Sequence, residues 1–142
     1  HITLIKDLPH GELNLCLLLV VIVLTDSLAY FGGRKFGKTP LAPGISPKKT
    51  REGSLCGTVG SMLVGSVIAV NWLEFSWPMA FLLTFLISVL GQVGDLVESK
   101  MKRLCGVKDS GKVLPGHGGI LDRLDSFLLT TPFFYYWMLL IA

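Results

Sequence analysis

The chain has 142 residues, 51% of them hydrophobic and only 16% charged, with a mean hydropathy of +0.60. A soluble domain has about 25% charged residues, so this composition argues against an ordinary soluble domain and for a membrane protein. The net charge of +3 gives no reason to expect a nucleic-acid partner. Cys16, Cys56 and Cys105 are too far apart for a zinc motif and odd in number, so they define no disulfide framework.

A membrane helix needs about 20 mostly apolar residues, and four runs approach that length. The first is Leu13 to about Phe31. The second runs from about Cys56 to Leu73, the third from Trp77 to about Val93, and the fourth from Phe127 to Ala142. Gly57, Gly60, Ser61, Gly65 and Ser66 recur along the second run, a spacing that lets helices approach closely in lipid. The reading is an all-α integral membrane protein of about four transmembrane helices, residues 1–142 forming a single membrane catalytic domain. The chain opens on His1 without a signal-peptide layout, so it reads as the C-terminal part of a longer multi-pass protein.

The charges collect between the runs. Arg34, Lys35, Lys38, Lys48, Lys49 and Arg51 lie between the first two, opposed by Glu52 alone. A second basic loop, mixed with acids, separates the third and fourth. Only Glu74 separates the second and third, flanked by Trp72 and Trp77 as an aromatic interfacial belt. Positive-inside logic places both basic loops in the cytoplasm. An even number of crossings separates them, so they can meet on one face and form a site.

Gly32–Thr39 (GGRKFGKT) fits the P-loop pattern G-x-x-x-x-G-K-[ST]. A P-loop, however, lies between a buried strand and the helix it opens. Here a membrane helix precedes it, and Pro40, Pro43 and Pro47 hold the residues after it in extended conformations. The motif is therefore read as the cytoplasmic exit of the first helix, its glycines serving a sharp turn and Lys38 within reach of a phosphate. An ordinary positive-inside loop would explain the lysines alone. Two features ask for more. Asp26 lies inside an apolar run, where an acid is costly. Ser46, Lys48, Lys49, Thr50, Glu52 and Gly53 gather hydroxyls and cations around a proline-fixed turn suited to a triphosphate.

In the second loop, Asp95 and Glu98 stand one turn apart on a helix continuing the third run out of the membrane, with Lys102 one turn later. Asp122 and Asp125 share the same spacing at the start of the fourth helix. Such carboxylates suit a hard cation such as Mg²⁺, which uses one or two of them and fills its remaining positions with water and substrate phosphates. An interfacial salt-bridge pattern explains Glu98 with Lys102 well, and explains Asp95, Asp122 and Asp125 less well. Pro115–Gly119 joins the helices, and its His117 reads equally as a phosphate donor or as a bystander in a glycine turn.

The stretch from Ser99 to Asp125, with Lys100, Lys102, Arg103, Lys108, Asp109, Gly111, the run Leu114–Ile120, Asp122 and Arg123, closely resembles the signature of the phosphatidate cytidylyltransferase family. Asp26-Ser27, Ala29-Tyr30, Phe36–Lys38, Leu41–Pro43 and Ser46–Gly53 match a second block of it. The resemblance implies an integral membrane enzyme that joins CTP to phosphatidate, giving CDP-diacylglycerol and pyrophosphate. It also implies Mg²⁺, in some members a monovalent cation such as K⁺, and a homodimer. By carry-over the metal-binding acids are Asp95 and Asp122, with Asp26 and Asp125 as weaker candidates. Lys102 and Arg123 join Asp95 and Asp122 as catalytic candidates. Ser46, Lys48, Lys49, Thr50, Glu52, Gly53, Lys108, Asp109 and His117 are candidates for nucleotide contact. A multi-pass protein of a bacterial-type inner membrane, with its site facing the cytoplasm, is expected. The departure from the family is the N-terminal half. The alternatives are a CTP-dependent polyprenol kinase, which would release CDP, and a non-catalytic transport or scaffold segment.

Overall fold

A computed structural model of the chain describes residues 1–106 and 121–141, with side chains from Ser126 onward in the last helix. Among the described residues, five helices and one small hairpin run in the order α1 (Ile2–Lys6), α2 (Gly11–Phe36), β1 (Pro40–Ala42), β2 (Ser46–Thr50), α3 (Arg51–Leu73), α4 (Trp77–Leu104) and α5 (Leu121–Ile141). α2, α3 and α4, with 26, 23 and 28 residues, are each long and apolar enough to cross a membrane. The apolar part of the fourth is shorter, Ser126–Ile141. The four-segment, all-α reading therefore holds, with α1 as an additional short helix whose Ile5 is buried in the core.

The helices pack in chain order. α2 lies on α3, α3 on α4 and α4 on α5, and α4 also touches α2. Leu17, Leu18, Val21, Ala69, Leu83, Ile87 and Phe134 form the common core. Many other large apolar side chains face outward, among them Leu55, Val59, Leu63 and Val67 along one stripe of α3. An outward apolar face of this kind is what lipid solvates. Glu74 closes α3 in the left-handed conformation (φ 57°, ψ 27°), and α4 starts three residues later with Pro78 in its first turn. Trp72 and Trp77 bracket that turn and are both exposed, as the belt reading expects.

The α2–α3 crossing is closer than side chains would permit. A Cβ on Gly57 would sit 2.6 Å from the Thr25 carbonyl oxygen, and one on Gly53 2.5 Å from that of Ala29. Gly32 answers from α2, where a Cβ would fall 2.5 Å from that of Cys56. This corrects the expectation that Gly32 and Gly33 make a sharp turn. α2 continues helically through Phe36, and these glycines admit the partner helix instead. The second helix also begins more than a turn before the expected start at Cys56, because Thr50 caps α3 by accepting from the Gly53 N–H at 3.2 Å.

Between α2 and α3 the prolines do prevent a helix, and an antiparallel hairpin forms there, pairing Pro40 with Thr50 and Ala42 with Ser46. Strand, rather than helix, after the motif confirms that GGRKFGKT is not a P-loop. The Glu52 carboxylate accepts from the Lys38 and Thr39 N–H groups at 3.1 and 3.2 Å and from the Thr39 hydroxyl at 2.7 Å. That clasp ties the end of α2 to the start of α3. The Arg103 Nε–H, at the far end of α4, donates to the Ile45 carbonyl at 3.3 Å in the hairpin turn.

Candidate functional site

A cavity of about 460 Å³ opens under the hairpin, where α2, α3 and α4 converge. One face of α2 contributes Asp26, Ala29, Tyr30, Gly33 and Arg34, spaced at three, four, seven and eight residues as a single helical stripe. The hairpin contributes Leu41, Ser46, Lys48, Lys49 and Thr50. α3 adds Ser54, and α4 adds Gln92 and Asp95. The hairpin's basic segment thus meets the C-terminal part of α4 on one face, as the count of crossings required.

The decisive contact is an ion pair between Lys49 Nζ and Asp95 Oδ2, joining the hairpin to α4. Their side chains remain 30% and 27% exposed, so both stay open to a ligand entering the cavity. The other Asp95 oxygen accepts from the Ser99 hydroxyl at 3.4 Å. Asp26 lines the same space and is accessible. The cavity therefore offers two carboxylates, several hydroxyl and amide oxygens and three cationic side chains within one enclosure. Acids of this kind suit a hard cation, and lysine and arginine suit phosphate.

Of the expected site residues, Asp26, Ser46, Lys48, Lys49, Thr50 and Asp95 come together here. Glu52 is engaged with the Lys38–Thr39 backbone, and Gly53 is buried against α2, so these two hold the frame. Lys102 pairs with Glu98 at 3.0 Å one turn back on the same helix and is absent from the cavity wall. Lys108, Asp109 and His117 lie outside the described residues, as do the side chains of Asp122, Arg123 and Asp125. The backbone of their turn is helical, as the i,i+3 reading of Asp122 and Asp125 required. Gly91 of α4 packs against Ser126 and Thr130 of α5, its Cβ position lying 3.8 and 3.7 Å from them.

Among the described residues, no three His, Cys, Asp or Glu side chains gather as a metal-ligand set. Asp95 and Asp26 on one cavity still fit Mg²⁺, which is commonly held by one or two protein carboxylates and completed by water and phosphate. Sequence reasoning missed Ser54 and Gln92, which line the cavity from positions in or beside apolar runs. Their polarity there was the available signal, since a polar group in lipid needs a partner.

The whole of the described architecture falls within one family model. Residues 1–141 match the cytidylyltransferase family. The chain belongs to that family. It is 50% identical over 118 residues to the phosphatidate cytidylyltransferase of Helicobacter pylori, covering 83% of this chain and 44% of the relative. For the enzyme of that name from Bacillus subtilis the figures are 50% over 124 residues, 87% and 46%. For that from Synechocystis they are 47% over 140 residues, 96% and 46%. The chain thus spans a little under half the length of the curated relatives it matches.

Proposed function

We propose that this chain forms the catalytic part of a membrane-bound phosphatidate cytidylyltransferase, which converts CTP and phosphatidate to CDP-diacylglycerol and pyrophosphate. The observation that carries the reading is the Lys49–Asp95 pair, set with Asp26 on a cavity at one end of three membrane-length helices. The names of the relatives support the substrates. Site, cytoplasmic orientation, inner-membrane location and homodimer belong to the same reading, and the basic residues clustered at the cavity end support the orientation by the positive-inside rule.

In this reaction a phosphatidate phosphate oxygen attacks the α-phosphorus of CTP. A new P–O bond forms, the bond to the bridging oxygen on the β-phosphate breaks, and pyrophosphate leaves. Phosphatidate arrives ionised, so no general base is needed. The protein's task is to hold two anions in line and neutralise charge. Lys48, Lys49 and Arg34 supply cations from two sides of the cavity and suit the triphosphate and the lipid headgroup. Ser46 and Thr50 supply short donors beside them. Lys49 would leave Asp95 for phosphate as the ligand enters. Asp95 and Asp26, with Asp122 at the start of α5, would hold Mg²⁺, and that ion would supply charge neutralisation on the phosphates.

The test uses the full-length protein in lipid with CTP labelled at the α- or γ-phosphate. The α-label is expected in lipid as CDP-diacylglycerol and the γ-label in pyrophosphate, in both cases only with Mg²⁺. Asp122→Asn should abolish turnover while the protein still inserts. Release of CDP with the γ-label in lipid would replace this reading with a lipid kinase, and absence of any nucleotide turnover would replace it with a transport or scaffold segment.

A further inference from the structure

A chain of half-buried and then buried polar side chains runs down the α2–α3–α4 junction from the floor of the cavity. The Ser54 hydroxyl of α3 donates to Gln92 Oε1 of α4. Gln92 Nε2 donates to Thr58 Oγ1 at 2.9 Å, with Ser88 Oγ at 3.4 Å and the Ser54 carbonyl at 3.5 Å. Below it, Ser88 meets Thr58 at 3.4 Å and Thr25 of α2 at 3.0 Å, and Thr25 meets Ser61 at 2.9 Å. Thr25, Ser61 and Ser88 are at most 2% exposed.

Both ends of the Gln92 amide are engaged within this network, although the residue also lines the cavity. Its place on the helices gives it another use. Ser54 lies one turn beyond the Thr50 cap that receives the strand carrying Lys49, and Asp95 lies one turn beyond Gln92. The Ser54–Gln92 link is therefore a rung just below the Lys49–Asp95 pair. It fixes both the sliding and the rotation of α3 against α4, which set the span across which those two groups face each other.

We propose that Gln92 is a positioning residue for the proposed transferase, acting with Ser54 to hold Lys49 and Asp95 at the span that aligns the two phosphates. The inference rests on the proposed function. Small misplacements of reacting groups of about 1 Å cost on the order of 100-fold in rate, so a rung one turn from the site has leverage that a rung deeper in the bilayer lacks.

The experiment compares full-length Gln92→Leu, Ser54→Ala, the double variant and Ser61→Ala, the last removing a hydroxyl deep in the same network. Gln92→Leu should lower kcat by about 10- to 100-fold with KM for CTP changed less than about threefold, since the contacts of Lys48 and Lys49 with nucleotide survive. Ser54→Ala should do the same to a smaller degree. The double variant should be no worse than Gln92→Leu, because both remove one link. Ser61→Ala should lose thermal stability in detergent comparably while keeping kcat. If kcat falls with melting temperature along one line through all four, or if Gln92→Leu turns over at the wild-type rate, the positioning role is overturned. A wild-type protein without transferase activity would overturn the proposed function itself, which keeps the two failures distinct.

Discussion

The two seams of α3 are built on opposite principles. Against α2 it presents positions with no side chain, and the backbones come into van der Waals contact at Gly53 and Gly57. Against α4 it presents Ser54 and Thr58, which hydrogen-bond to Gln92 and Ser88, while Ser61 reaches Ser88 only through Thr25 of α2. Lipid offers no hydrophobic force to press helices together, so association there relies on close packing or on polar contacts. One helix uses both, on adjoining faces. The glycine seam is intolerant of added atoms where backbone faces backbone, and carries one polar contact, Thr25 with Ser61. The polar seam tolerates changes of volume better but needs its partners. Both end at the cavity, so the site is fixed from α2 by contact and from α4 by hydrogen bonds.

The largest effect should come where the seams meet and bear on chemistry rather than folding. Asp95→Asn is expected to lower formation of CDP-diacylglycerol by about 100- to 1,000-fold, the scale seen when a charge-stabilising group is removed from an active site. Its thermal stability should stay near wild type, and turnover close to wild type would remove Asp95 from the site. Next in size is Gly57→Ala. Its Cβ would meet backbone oxygen at 2.6 Å, which cannot swing aside, so a loss of about 1–3 kcal/mol is expected, read as a lower melting temperature in detergent. An unchanged melting temperature would show that the crossing is looser than these distances require. Ser88→Ala should cost about 0.6 kcal/mol, the average for a hydrogen bond between membrane helices. A cost as large as that of Gly57→Ala would erase the contrast between the seams. Smallest is Gly60→Ala, on the same face as Gly57. There the obstacle is Leu28 Cδ1 at 2.4 Å, the end of a flexible side chain, and a rotamer change should absorb it with little change in melting temperature.

Much of the fold was readable because lipid imposes a simple rule of length. The four runs, the tryptophan turn and the meeting of the hairpin with the C-terminal part of α4 all come from apolar length, charge and parity. Asp26 and Asp95 stood out because an acid inside or at the boundary of an apolar run is costly without a role, and Lys49 because it lies in a turn dense in hydroxyls and cations. The unreadable part depends on which way a helix is rotated. Gly32 and Gly33 looked like a turn because glycine favours one in isolation, whereas the packing of α3 keeps them helical. The three hydrogen bonds that Glu52 accepts from Lys38 and Thr39 are likewise not announced by its place in the sequence. Ser54 and Gln92 sit 38 residues apart in sequence, and nothing in either run announces the other.

The stripe of α2 that walls the cavity, from Asp26 to Arg34, also sets a scale. Eight residues at 1.5 Å each make it about 12 Å tall. Its lower end is the Asp26 carboxylate, between Thr25 and Ser27, and its upper end is the Arg34 guanidinium near the hairpin. An occupant filling that height meets an acid at one end and a cation at the other. The cavity is in this sense a gauge for polarity, matched to a molecule that carries positive charge at the level of Asp26 and negative charge at the level of Arg34.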